Sequence, residues 1–335
     1  MARLFIDGFE HGDALLWDSD IYHLEVSEND DITGNYLITN DGDVTNGYVN
    51  KTISAKTTVY VAARFRVNPV NALCTGRLYF YYGAVEVGYF TAARSNGTWA
   101  VSFYSNGSTV WSGTSSSADE LHVQVKLEYG SPTWAVTIKI NNVEVCSAVS
   151  CSSDAYLNIT KIRLYLATTS GVIGGVIGEY MYADDIVIDD SDWPGSPFIY
   201  GLTPTGDGAT TEWDPSTGTD HYPLVDEIPA SSTDYVSSTT SGEVELYTFS
   251  NLPDTDVWSV NSVQVSAYAK TPGPPEDEYL QLGVRHAGAN YFGAPVQLST
   301  DFTQHATIFE NNPLTGSAWT QDDVHSGEFG FKEVS

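Results

Sequence analysis

A chain of 335 residues is longer than one hydrophobic core usually supports, so about two domains are expected. Its 43 Asp and Glu against 14 Lys and Arg leave a formal net charge of −29, which repels phosphate backbones and anionic lipid and argues against nucleic-acid and membrane-surface binding. Acidity of this degree suits solubility at high copy number, divalent cations or a basic partner. No apolar run approaches the roughly 18 residues of a spanning helix. Met1 is followed almost at once by Arg3-Leu4-Phe5-Ile6-Asp7, a start without the regions of a secretory signal. Cys74, Cys146 and Cys151 are odd in number and lack metal-ligand spacing. They read as buried or free thiols, with a Cys146–Cys151 bridge as the minority alternative, in a product made in a reducing cytosol.

Along the chain the apolar residues recur with period two. Val59 to Val67, Arg77 to Tyr82 and His122 to Tyr129 are rich in β-branched and aromatic residues and read as strands. Asn96-Gly97, Asn106-Gly107, Asn141-Asn142 and Gly130-Ser131-Pro132 read as the turns between them. No ten-residue stretch offers a capped helical stripe. Short hairpins with alternating faces predict two antiparallel sheets packed face to face.

In Tyr180 to Asp190 strict alternation puts Tyr182, Asp184, Ile186 and Ile188 on one side and Met181, Ala183, Asp185, Val187 and Asp189 on the other. Ile186-Val187-Ile188 is apolar on both faces, so the strand is expected at the centre of its sheet, with its aspartates exposed where it leaves. Pro194, Pro197 and Pro204 then interrupt any strand. The predicted organisation is a domain over 1–193, a Pro/Gly-rich linker over 194–208, and a smaller β-sandwich domain over 209–335. Strands are expected there over 242–249, 259–270, 279–286 and 329–332, with an exposed loop over 272–278.

The stretch YADDIVIDD, residues 182–190, is similar to the closing strand of concanavalin A-like, laminin-G-like jelly rolls. LFIDGFEHGDALLWD, residues 4–18, resembles the first strand and turn of that fold, which pairs near the last strand. DELHVQVKLEYGSPTWAVTIKINNVEVCS, residues 119–147, supplies a further run of strands in the expected order. The resemblance spans most of residues 3–192 and implies fold rather than activity. It makes the fold class all-β, with two antiparallel β-sandwich (jelly-roll) domains, the first concanavalin A-like. Followed by PxGDGxxxxW (Pro204 to Trp213), by Val225 to Val236, and by the closing stretch Asn312 to Phe331, the jelly roll resembles tailed-bacteriophage virion proteins. That resemblance implies a particle component assembled in host cytoplasm. Its partners would be other virion proteins: the major capsid protein for a decoration protein, tail proteins for a fibre or baseplate component. A homo-oligomer is expected in either position.

Many sandwiches of this class are glycanases that place carboxylates on one strand as ExDxxE. That pattern is absent here, and Asp184 and Asp185 are adjacent, so no catalytic residue is expected. No HExxH, GxSxG or phosphate-cradling loop is present, so neither a cofactor nor nucleotide binding is expected. Asn40-Asp41-Gly42-Asp43 and Glu28-Asn29-Asp30-Asp31 are carboxylate-rich turns suited to Ca²⁺, with Asp41 and Asp43 as the named candidates and solvated acidic turns as the ordinary reading. Aromatic residues make up 13% of the chain; Trp99, Trp111, Trp134, Trp213, Trp258 and Trp319 suit a sandwich core or a sugar-stacking platform. Trp111, in the loop-like SNGSTVWSGT, is the candidate for a host-glycan contact, which makes a carbohydrate-binding adhesin the alternative function.

Overall fold

The computed structural model describes the chain except residues 1–2, 19–23, 30–31, 40–45, 69–73, 96, 117–119, 152–155, 169–179, 254–258, 274–277 and 335. It divides into two compact units, 1–199 and 200–335. Among the described residues no helix is long and apolar enough to cross a membrane.

Among its described residues the first unit contains fourteen strands: β1 Arg3–Asp7, β2 Leu24–Asn29, β3 Ile32–Thr39, β4 Asn46–Lys56, β5 Thr58–Asn68, β6 Cys74–Tyr82, β7 Val85–Ser95, β8 Thr98–Ser105, β9 Ser108–Ser115, β10 Glu120–Tyr129, β11 Trp134–Ile140, β12 Val143–Ser150, β13 Ile159–Thr168 and β14 Tyr180–Asp189. They form two antiparallel sheets. One has the order β12-β11-β10-β5-β14-β3-β2 with β1 also on β14; the other is β4-β13-β6-β7-β8-β9. The period-two pattern explains the packing. Val61, Ala63 and Phe65 of β5, Val123 and Val125 of β10, and Val136 and Ile138 of β11 are fully buried against Leu78, Phe90, Phe103, Ile162 and Leu164 of the other sheet. Gly76 shows how close the layers come, because a Cβ there would meet Met181 and Phe65 at 2.6 Å. At roughly 1.5–3 kcal/mol per buried aliphatic or aromatic side chain, these inner faces supply the main drive for folding.

As expected, β14 is central, paired with β5, β1 and β3, and Phe5 lies opposite Ile188. The opening loop closes around the buried Asp7, which accepts hydrogen bonds from the Phe9 N–H and from Trp17 Nε1, both at 2.7 Å. All three cysteines are buried and unbridged, and burial pushes the Cys151 thiol up to about 12.

The expected linker is not one. Residues 191–199 run back across the outer face of the larger sheet as a strap, and Pro204 already starts a strand of the second unit. That unit contains β15 Pro204–Thr211, β16 Asp214–Pro215, β17 Val236–Ser237, β18 Val244–Phe249, β19 Val263–Ala269, β20 Tyr279–His286, β21 Ala289–Phe292, β22 Val296–Gln297, β23 Thr303–Phe309 and β24 Glu328–Val334. β15-β18-β24-β20-β21 with β22 form one sheet, and the β19–β23 ribbon covers it over Val265, Leu280, Leu282, Val284, Trp319 and Phe329. Pro204 fits because it opens a terminal strand, where no ladder hydrogen bond is lost on the outer side. A six-residue helix, α1 Gln321–Ser326, starts at a Thr320/Asp323 capping box. At Gly330 a Cβ would sit 2.0 Å from the Glu245 carbonyl, so β18 and β24 can pair there only because the residue is glycine.

Candidate functional site

The aspartates of YADDIVIDD are structural. Between Asp184 and Val187 the ladder with β5 slips by one residue, and Asp185 takes φ 52°. This bulge corrects the alternation read from the sequence. Before it Met181 and Ala183 face the core; after it Ile188 does, opposite Val61, while both Asp184 and Asp185 reach the strap side. The expected exposure of the aspartates is also corrected, because Asp185 and Asp189 are buried. Asp185 accepts from Arg64 Nε and from the Ile199 N–H, both at 2.7 Å. Asp189 accepts from Ser191 N and Oγ at 2.8 Å and so turns the chain into the strap. Asp190 pairs with Lys56 at 2.6 Å.

The strap is held by the same cluster. Arg64 also bonds Glu120 and, at 3.1 Å, the Pro197 carbonyl, and its guanidinium lies 4.2 Å from the Phe198 ring centre. Trp193 packs edge-on against Tyr60 at 5.2 Å and receives Lys139 at 4.1 Å. Burial and then the neighbouring Asp185 charge push the Asp184 carboxyl up to about 9. Burial raises Asp185 as well, but the Arg64 guanidinium opposes it, so Asp184 is the carboxyl that keeps the proton at neutral pH. His122, buried beside Arg64 with both ring nitrogens lacking a hydrogen-bond partner, is held neutral down to about 4 by burial and then by the Arg64 charge.

The other sheet presents a different outer face. Its inward positions are apolar, but its outward positions carry Tyr48 (β4), Tyr165 (β13), Tyr79 and Tyr81 (β6), Tyr89 (β7) and Tyr104 (β8), across five adjacent strands. The register places Tyr165 opposite Tyr48 and Arg77, Tyr79 opposite Arg163 and Tyr89, and Tyr89 opposite Tyr104. Tyr89 and Tyr104 stack at 4.9 Å, and Tyr79 meets Tyr89 at 4.8 Å and Tyr165 at 6.1 Å. Cations thread the rings. Arg77 lies 5.1 Å from the Tyr165 centre and donates to Tyr79 Oη at 2.9 Å; Arg163 lies 4.0 Å over Tyr48, and Lys161 4.6 Å over Tyr81. Except for the more deeply set Tyr81, these tyrosines are half-buried.

Burial raises Tyr81, Tyr89 and Tyr165 above the ordinary 10.0, with the nearby arginine charges opposing the rise. Burial pulls Arg77 down, but its bond to Tyr79 and the surrounding phenols outweigh this and hold it above its ordinary value. Glu86 is raised by burial against the pull of Arg77. The arrangement is a rigid, amphipathic aromatic surface with fixed donors.

Sequence reasoning missed this face. A signal was present, because R-x-Y-x-Y at 77–81 and K-x-R-x-Y at 161–165 put aromatic and basic residues where a solvated sheet face normally carries small polar ones. The structure places the tryptophans elsewhere. Trp99, Trp134 and Trp319 are core residues, and Trp213 packs at 4.7 Å on Phe331. Trp213, from the PxGDGxxxxW segment, donates its backbone N–H to Glu245 Oε2 at 3.1 Å, while Asp207 accepts from the His221 and Tyr222 amides, so that segment braces the second unit. Trp111 is paired opposite Phe103, on the inner side of β9 at the edge of the sandwich and not among the tyrosines. Asp41, Asp43 and Trp258 lie outside the described residues, as does Asp30-Asp31. Among the described residues no group of three or more His, Cys, Asp or Glu could hold a metal ion.

No family model matches the chain, and no curated protein sequence matches it. Solved structures resemble it at low identity. A sialidase aligns with a TM-score of 0.39 at 12% identity over 57% of this chain, which spans only 19% of that protein. The CBM2 module of the evolved Dit of Lactobacillus casei BL23 phage J-1 aligns at 0.38 and 11% identity, over 56% of this chain and 86% of the module. A Bacillus licheniformis β-glucanase aligns at 0.35 and 10% identity, over 56% of this chain and 98% of its own. At such scores the likenesses say nothing about ligand or activity. The strand topology itself defines an all-β chain of antiparallel units, the first a jelly-roll sandwich.

Proposed function

We propose that the chain is a non-enzymatic, glycan-binding surface protein of a tailed-bacteriophage particle, and that the outer tyrosine face of the first unit holds the sugar. The observation that carries the glycan reading is the run of six tyrosines over five neighbouring strands. Four strand spacings of about 4.8 Å make a strip roughly 19 Å long. Tyrosine suits it because each ring offers a flat apolar face and a hydroxyl while losing little conformational freedom on binding. Arg77, Lys161 and Arg163 stand against Glu86 as the carboxylate of this face among the described residues, in a chain whose acids outnumber its bases 43 to 14. The preferred glycan is therefore anionic, with uronate or phosphate groups. Glycoside hydrolysis ordinarily needs two carboxylates about 5–9.5 Å apart, and one half-buried Glu86 does not supply the pair.

A glycan array followed by calorimetry tests this. Tyr79→Ala or Tyr89→Ala should weaken binding about tenfold, a loss of about 1.4 kcal/mol. Affinity should fall with salt and stay level from pH 6 to 9, since burial raises the Tyr81, Tyr89 and Tyr165 phenols further above that range. Unchanged affinity in both variants would overturn the site.

The particle reading rests on the resemblance of 182–190 and 204–213 to virion proteins. The net charge of −29 favours a second, more specific form of it, a capsid decoration protein projecting into solvent against the major capsid protein. Copies per purified particle separate the two. A number comparable with capsid subunits supports decoration, a few to a few dozen supports a tail fibre or baseplate component, and absence from particles overturns both.

A further inference from the structure

The tyrosine face is not uniform across its sheet. Its cations stand on two neighbouring strands, Arg77 on β6 and Lys161 and Arg163 on β13. Beyond them the outward positions of β7, β8 and β9 become small and uncharged. From Arg77 the register runs through Thr91, Ser102 and Ser112, and the adjacent tier along the same strands runs through Ala93, Ala100 and Thr114. Tyr89 and Tyr104 lie two positions along β7 and β8 from Thr91 and Ser102, hence on the same face, and their rings stack at 4.9 Å. These positions make a low terrace with the stacked rings along one side and Arg77 at one end. From β6 to β9 it spans three strand spacings, roughly 14 Å, which is longer than a single sugar ring. Residues 95–118 contain no Asp, Glu, Lys, Arg or His. On β7 the charged residues are Glu86, opposite Tyr81, and Arg94, which is 1% exposed and opposite the core residue Trp99.

We infer that, if this face holds a glycan as proposed above, the ligand is a linear oligosaccharide with one acidic sugar and a neutral remainder. The acidic sugar sits at Arg77 between β6 and β13, and the neutral rings lie along the terrace over β7 to β9. Charge decides the pattern. A carboxylate at β6 or β13 meets fixed cations, and one over the terrace meets none. A carboxylate drawn over β7 beside Tyr81 meets Glu86 instead, and each further anion on the ligand adds repulsion from a chain of net charge −29. A polyuronate is therefore disfavoured unit by unit, while a wholly neutral glycan gains nothing from the cations. The terrace suits neutral sugar. The Thr91, Ser102 and Ser112 hydroxyls can both donate and accept, as sugar hydroxyls do, and the neighbouring tyrosine rings offer an apolar side.

Calorimetry on the full chain with three tetrasaccharides of one backbone tests the charge pattern: cellotetraose, the same chain with glucuronate as its terminal unit, and the chain with glucuronate at all four positions. The singly charged form should bind at least tenfold tighter than either of the others, and its glucuronate-terminated disaccharide at least tenfold weaker, because the terrace is then left empty. Arg77→Gln should bring the singly charged form down to the level of cellotetraose. Ser102→Lys, which places a cation on the terrace at an outward position, should strengthen binding of the fully charged form about tenfold and leave the singly charged form within about twofold. Both variants should keep the wild-type far-ultraviolet spectrum. A fully charged form that binds wild type as tightly as the singly charged one overturns the inference, and so does equal binding of the singly charged form and cellotetraose; in either case a loss of binding in Tyr89→Ala would leave the tyrosine face standing as the site. Binding of none of the three also overturns the inference, and the glycan array with Tyr79→Ala decides separately whether the face holds a sugar.

Discussion

Asp184 holds its proton to about pH 9 because burial and the adjacent Asp185 charge both disfavour the anion. In the unfolded chain the same carboxyl titrates near the ordinary 3.8. Between these values the folded state binds the extra proton, so its stability is highest at low pH and erodes as pH climbs toward 9. Asp7, pushed up to about 7 by burial, adds to the same slope over a narrower window. Asp184→Asn keeps the oxygen that accepts the Asp185 N–H at 2.6 Å and removes the ionisation. The variant should match the wild type near pH 4 and melt progressively higher than it from pH 6 to 9 in calorimetric scans. Parallel melting curves across that range would show that Asp184 is charged in the fold.

At the scale of elements, the strap is the feature that residue patterns alone misread. Its composition, Ser191-Asp192-Trp193-Pro194-Gly195-Ser196-Pro197, is that of a linker, and prolines do prevent it from adding a strand. What docks it is a set of side chains distant in sequence: Arg64, Gln124, Lys139 and Asp185. Gln124 Oε1 accepts the Gly195 N–H at 3.0 Å. Trp193→Ala removes the edge-on contact with Tyr60 and the cation–π contact with Lys139, worth together about 1–2 kcal/mol. Hydrogen exchange should then speed at the amides of Gly195 and Ile199 while the β5 and β10 amides stay protected. Equal protection in variant and wild type would mean that the hydrogen bonds made by Arg64, Gln124 and Asp185 hold the strap without Trp193.

For the whole molecule, charge and core pull in opposite directions. The acidic excess of 29 charges is distributed over a chain only 17% charged, and it opposes compaction in both units. Raising NaCl from 10 to 200 mM shortens the screening length from about 30 Å to below 10 Å. The melting temperature should therefore rise by several degrees, measured by calorimetry at the lowest workable concentration. A flat response would mean that the acids are compensated locally by pairs such as Lys56–Asp190.

Sequence by itself determined the all-β class, the antiparallel hairpins and the central place of β14. Each of these follows from local facts: period-two burial, turn residues, and an apolar run that needs neighbours on both faces. Only the tertiary structure decided which face each aspartate of YADDIVIDD uses, because a single bulge residue reverses the side-chain phase of a strand and no local propensity marks it. It also decided that 191–199 is a strap, since that rests on partners distant in the chain, from Lys139, 54 positions before Trp193, to Arg64, 133 before Pro197. The tyrosine face became a site for the same reason. Its rings sit on five strands whose order, β4-β13-β6-β7-β8, differs from their order in the chain, and only folding brings Tyr48 and Tyr165 beside Tyr79 and Tyr89.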